Sequence, residues 1–135
     1  MFTSETKIRV RYAETDRMGY VYYGNYATYF EVARVESLRI MGITYKEMED
    51  EGIILPVMDY HIKFIKPAFY DDLLTIKTVI KNMPGARITF EYETFNEKNV
   101  LVNEASTTLV FINKDTLKPC RAPDYFREHM SGYFL

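Results

Sequence analysis

"GNYATYFEVARVESLRIMG", residues 24–42, puts the apolar side chains Ala27, Phe30, Val32, Ala33, Val35, Leu38, Ile40 and Met41 on most faces of a single helix. A helix with that distribution is wrapped by other structure; it is not laid on a surface. Asn25 reads as its N-cap and Gly42 as its left-handed stop. "TYKEMEDEG" then reads as a short second helix, capped by Thr44 with Glu47 three residues on, and ended by Gly52. The rest of the chain supplies the wrapping. "ILPVMDYHIKFIK" runs as strand until Pro67, which cannot donate to a ladder, and "LLTIKTVIK" follows, then a turn at Pro84-Gly85. "ARITFEYETF" alternates Ile88, Phe90 and Tyr92 against Arg87, Thr89, Glu91 and Glu93. After "NEKN" comes the longest strand region, "VLVNEASTTLVFINK". Ahead of the helix, "KIRVRY" sets Ile8, Val10 and Tyr12 against Lys7, Arg9 and Arg11, the period of a half-buried strand. "DYFREHM" is the signal of a short terminal helix. Short links between consecutive strands imply an antiparallel meander. The expectation is an α+β fold: an antiparallel sheet of five or six strands wrapped around one long central helix, as a single domain over residues 1–135.

Charge and cysteine content narrow the function. Seventeen basic and nineteen acidic residues leave a net charge of −2, so no global field draws in nucleic acid. Cys120 is the only cysteine, which precludes a disulfide within the chain and fits a reducing, cytoplasmic compartment. "MFTSETKIRVRY" has no apolar leader region, and no run is long enough for a membrane helix. Ser4, Ser37, Ser106 and Ser131 lie outside any G-x-S-x-G elbow, and no phosphate-binding glycine loop is present. His61 and His129 lack metal-ligand spacing to each other or to Cys120, so no metal is expected.

That leaves Asp16, set between tyrosine-rich stretches in "YAETDRMGYVYYGNY". A carboxylate beside so much aromatic surface is costly unless it is solvated, paired or used. It precedes a glycine turn at Gly19 and a helix start near Gly24-Asn25, whose free N–H groups favour a developing negative charge. A carboxylate opposite such donors supplies the parts of acyl transfer: a base or nucleophile, and an oxyanion site. On these residues alone, Asp16 acting as a cap on its own turn is an equally good reading.

The stretch "RVRYAETDRMGYVYYGNYATYFEVAR" resembles the signature of the 4-hydroxybenzoyl-CoA thioesterase family. The resemblance continues through "FIKPAFYDDLLTI", "MPGARITFEYETF", "LVNEASTTLVFIN" and "KPCRAP", so it covers nearly the whole chain. It implies the hotdog fold and hydrolysis of an acyl- or aryl-CoA thioester, with Asp16 as the catalytic carboxylate and the backbone N–H of Tyr23, beside Gly24, as oxyanion donor. Whether Asp16 is nucleophile or general base stays open. A related branch of the family carries His where this chain has Tyr23, a change that a backbone donor survives but a side-chain role does not. Tyr22 and Tyr26 join Gly24 as expected substrate contacts, and His61 is a further candidate facing a neighbouring site. Lys63, Lys66 and Arg87 are available to CoA phosphates. Glu31 and Arg34, one turn apart, read as a structural ion pair. No cofactor is expected, since CoA is part of the substrate. Edge-to-edge pairing in the family implies a homodimer or, further, a homotetramer built as a dimer of dimers. The alternatives are a thioesterase for acyl chains on acyl carrier protein and a catalytically silent acyl-binding protein.

Overall fold

Side chains alternating in and out along the strands produce one five-stranded antiparallel sheet. The computed structural model describes residues 1–134. In chain order they form β1 (Phe2–Arg9), a 3-10 turn (Tyr12–Glu14), α1 (Asn25–Ile40), α2 (Tyr45–Asp50), β2 (Ile53–Ile54), β3 (Val57–Phe64), β4 (Leu73–Ile80), β5 (Arg87–Phe95), β6 (Leu101–Val110), β7 (Ile112–Asn113) and α3 (Asp124–Met130). The sheet order is β1-β4-β5-β6-β3, while β2 and β7 pair separately. The meander is therefore β4-β5-β6, with β1 and β3 added at its two edges.

Register sorts the two faces. Ile88, Phe90 and Tyr92 of β5 stand opposite Leu109, Thr107 and Ala105 of β6, and the three β5 side chains are buried on the helix side. Glu91 and Glu93 of β5 stand opposite Ser106 and Glu104 on the other face. Val32 and Ile40 of α1 are 41% and 59% exposed, so the helix is not enclosed on every side. Its buried residues are Tyr26, Tyr29, Phe30, Ala33, Arg34, Ser37 and Leu38, a stripe at spacings of three and four. Four of those seven, Tyr26, Tyr29, Arg34 and Ser37, stand outside the apolar set read from the sequence, which is why apolar counting misplaced the buried face. Phe30 stacks on Tyr92 at 4.4 Å, and Tyr26 and Phe30 reach Phe64 and Tyr60 of β3.

Three local expectations are corrected. Asn25 does not cap α1: Gly24 holds that position, and the Asn25 side chain instead donates to the Glu14 carbonyl at 2.8 Å. Tyr12 is not a strand residue, because the chain turns at Arg11, whose carbonyl accepts from the Glu14 N–H; the Tyr12 ring is 77% exposed. Glu31 and Arg34 do not pair, since Arg34 lies on the buried stripe and Glu31 is exposed. The stops at Gly42 and Gly52 do adopt positive φ, +85° and +84°. Thr44 caps α2 through its hydroxyl, which accepts from the Glu47 N–H at 3.2 Å.

Candidate active site

Gly19, at φ +83°, lets the chain reverse between Asp16 and Tyr20. The reversal makes a small antiparallel loop. The Asp16 N–H donates to Tyr20 O at 2.7 Å, Thr15 bridges Val21, and the Tyr22 N–H donates to Glu14 O at 2.9 Å. Val21 then anchors to Ala68 O at 2.8 Å. Asp16 and the entry to α1 are thus brought to the same place by seven residues of chain and one glycine turn.

The Asp16 carboxylate has two faces. Its Oδ1 accepts from the N–H groups of Met18, at 2.9 Å, and Tyr20, at 3.1 Å. This is the turn cap considered from sequence, and it exists. Oδ2 has no protein partner among the described residues. Cap and catalytic group are compatible because they use different oxygens.

At the helix entry the Asn25 N–H donates to Tyr22 O and the Tyr26 N–H to Tyr23 O. Among the described residues, the N–H groups of Tyr23 and Gly24 have no acceptor, as the first donors of a helix do not. Asp16, Tyr23 and Tyr26 share a cavity of about 300 Å³ with Phe64, Lys66 and Pro67. The lining is mainly apolar with few polar groups, the usual character of a small-molecule site. The Tyr26 phenol is pushed up to about 12 by burial, so it stays protonated and can donate. Behind it, Asn103 is fully buried with its side-chain amide next to the Tyr26 hydroxyl.

The other sequence candidates fall elsewhere. Gly24 sits under the Tyr22 ring, where an added Cβ would come within 2.7 Å of Tyr22 Cε2. Tyr22 itself is exposed and rests on Tyr23 at 4.7 Å, outside the cavity lining. His61 lies on the outer face of the sheet, 3.7 Å from Asp59, in a groove with Lys63, Glu91 and Glu104. Arg87 lines a different groove with Lys81 and Glu91. Of the three cations considered for phosphate, Lys66 is the one in the wall of the Asp16 cavity.

Glu14 went unread in the sequence, and Arg34 was read with the wrong partner. Glu14 bonds Arg11 and Tyr29 through its side chain and Tyr22 and Asn25 through its carbonyl. Arg34, 6% exposed, donates to Tyr92 Oη at 3.3 Å, and Tyr92 shares a 2.6 Å bond with Thr107. The available signal for Arg34 was its place at i+4 from Phe30 on the buried stripe. For Glu14 there was none, because its partners are up to fifteen residues away.

Comparison with known proteins gives a consistent result. The sequence profile of the Thioesterase-like superfamily matches residues 10–130. YneP of Bacillus subtilis is 32% identical, covering 98% of this chain and 96% of its own length. The acyl-CoA thioester hydrolase YbgC of Escherichia coli O6:H1 is 33% identical over 86% of this chain and 87% of its own. The crystal structure of a DHNA-CoA thioesterase from Staphylococcus aureus superposes with a TM-score of 0.91 at 44% identity, covering 98% of this chain and 89% of the other.

Proposed function

The chain belongs to the thioesterase-like superfamily, and from that premise we propose that Asp16 and the free N–H groups at the start of α1 are its catalytic machinery. The reaction is hydrolysis of an acyl- or aryl-CoA thioester to the free acid and CoA. The observation that carries the site is the shared cavity. It joins an unpaired carboxylate oxygen to the residue whose backbone N–H has no acceptor.

Two routes use the same groups. In one, Asp16 Oδ2 removes a proton from water as the water oxygen attacks the thioester carbonyl. In the other, Oδ2 itself attacks and forms an acyl-enzyme anhydride that water later opens. In both, the carbonyl oxygen becomes an oxyanion held by the Tyr23 N–H, with the helix dipole in support. Collapse expels the CoA thiolate, a good leaving group that needs no strong general acid. The apolar lining of Val21, Tyr26 and Phe64 suits the acyl or aryl group, and Lys66 at the wall suits a CoA phosphate. No cofactor enters this scheme. A reducing compartment such as the cytoplasm suits the lone thiol of Cys120.

The finer architecture belongs to the same proposal. We take α1 as the central helix of a hotdog fold and β3 as the edge that pairs with a second copy. Val57, Tyr60 and Phe64 on β3 face the helix side yet are 48%, 37% and 50% exposed, and the neighbouring Ile65 is 41% exposed. An apolar edge strand of that kind is a pairing surface. A homodimer, or a homotetramer made of two such pairs, would cover it and enclose the adjacent cavity.

The test is thiol release from a panel of short-chain, long-chain and aryl-CoA thioesters, with acyl carrier protein thioesters run in parallel. Turnover of CoA thioesters by wild type, lost in Asp16→Asn, supports the reading. Equal turnover by both proteins rejects Asp16, and release only from acyl carrier protein selects the alternative substrate.

A further inference from the structure

Between β1 and the helix entry, Glu14 makes more polar contacts than any group in the proposed catalytic site. Its Oε1 accepts from the Arg11 N–H at 2.8 Å and the Tyr29 hydroxyl at 2.9 Å, and its Oε2 accepts from the Arg11 guanidinium at 3.2 Å. Its carbonyl accepts from the Tyr22 N–H at 2.9 Å and from Asn25 Nδ2 at 2.8 Å. One residue therefore ties together the turn that follows β1, the first residue and second turn of α1, and the segment just before Tyr23. Asp16 lies two residues after Glu14 and Tyr23 one residue after Tyr22.

We propose that Glu14 is a positioning residue for hydrolysis, setting the separation between the Asp16 carboxylate and the Tyr23 N–H. This rests on the catalytic reading above and deepens it. The loop from Asp16 to Tyr20 is surface chain, held by backbone bonds, the Asp16 cap and one glycine turn, all of them internal to the loop or next to it, so its position on the helix depends on what fixes its ends. Glu14 fixes them against Tyr29, which is buried in the helix–sheet interface and cannot move with the loop. Its side chain is 13% exposed; the bond to Tyr29 is partly buried, while the two to Arg11 lie at the surface. Burial pushes the carboxyl up, but the Arg11 N–H, the Tyr29 hydroxyl and the Arg11 guanidinium together bring it below the ordinary glutamate range. The clamp thus keeps its charge at neutral pH. A displacement of about 1 Å between reacting groups is enough to cost on the order of 10²-fold in rate. Substrate binding along the apolar wall is much less sensitive to that displacement.

The experiment separates turnover from binding in the whole protein. Glu14→Ala should lower kcat by about 10–100-fold, while the Kd of a non-hydrolysable thioether analogue of the substrate changes by less than about 3-fold. Glu14→Gln, which still accepts from Tyr29 and from the Arg11 N–H, should recover most of the loss. Should Glu14→Ala fail to fold by circular dichroism, Tyr29→Phe removes only the hydroxyl contact and carries the same test, with a kcat loss of about 3–10-fold at unchanged Kd. An unchanged kcat in the folded variant, or kcat and Kd worsening together, overturns the inference. Asp16→Asn in the same assays tells the two readings apart. If it turns over normally, the catalytic reading fails and takes the positioning role with it; if it is inactive while Glu14→Ala is fully active, the positioning role alone fails.

Discussion

Asp16→Asn keeps Oδ1 and with it the bonds from Met18 and Tyr20, and removes only what Oδ2 can do as base or nucleophile. Turnover should fall by at least about 10²–10⁴-fold, the usual contribution of a positioned base. The melting temperature should stay within about 4 °C of wild type, or rise, because the turn survives and the apolar cavity loses a charge. A variant that melts early but keeps its turnover while folded would make Asp16 a turn cap only. Glu14 gives a pH signature at the same scale. Its folded pKa lies below its unfolded value, so its stabilisation is present above the unfolded value and lost as pH falls through the folded one. Wild type should melt above Glu14→Gln at pH about 6, and the gap should narrow steadily as pH falls below the ordinary glutamate range. A gap independent of pH in thermal melts would mean the charge contributes nothing.

Helix α1 is the element that positions the site, and its ends show how. Its start leaves donors free at Tyr23 and Gly24, while its end is closed by Gly42 at φ +85°. At Gly42 an added Cβ would also meet His129 Nδ1 at 3.1 Å, a contact with the α3 helix. Gly42→Ala should therefore destabilise by about 1–2 kcal/mol from the left-handed backbone alone, and by more if His129 cannot shift. Urea denaturation measures this, and an unchanged midpoint would show that α1 ends without needing the left-handed turn. Turnover per folded molecule should hold, because the free N–H groups lie at the opposite end.

For the molecule as a whole, assembly is decided at the edges of the sheet, β1 and β3. β3 carries Val57, Tyr60 and Phe64 exposed beside the cavity, and the Met58 side chain is 44% exposed on the same strand. Light scattering should give a dimer or tetramer at micromolar concentration. Met58→Asp, which places a charge on that edge, should shift the mass toward monomer and lower activity with it. A wild-type monomer with full activity would contradict both the pairing and its role in enclosing the cavity.

Much of this was legible from local chemistry. Alternation placed β5, strand-rich runs between turns placed β4 and β6, and "DYFREHM" marked α3 to the residue. Gly42, Gly52 and Thr44 announced their roles because turn and cap chemistry depends on neighbours within a few residues. The signature around Asp16 pointed to a loop that the fold sets beside the start of α1. What the sequence could not decide was anything carried by contacts between distant segments. The buried face of α1 depended on where the sheet lay, so Arg34 and Ser37 went inside while Val32 and Ile40 stayed out. Asn25 looked like a cap by type, yet the nearby Glu14 carbonyl took its side chain. Lys66 was separated from Lys63 and Arg87 only when the folded chain put it in the cavity wall. The physical reason is range: backbone conformation answers to adjacent residues, whereas burial and hydrogen-bond partnership answer to whichever segments the tertiary fold brings within a few ångströms.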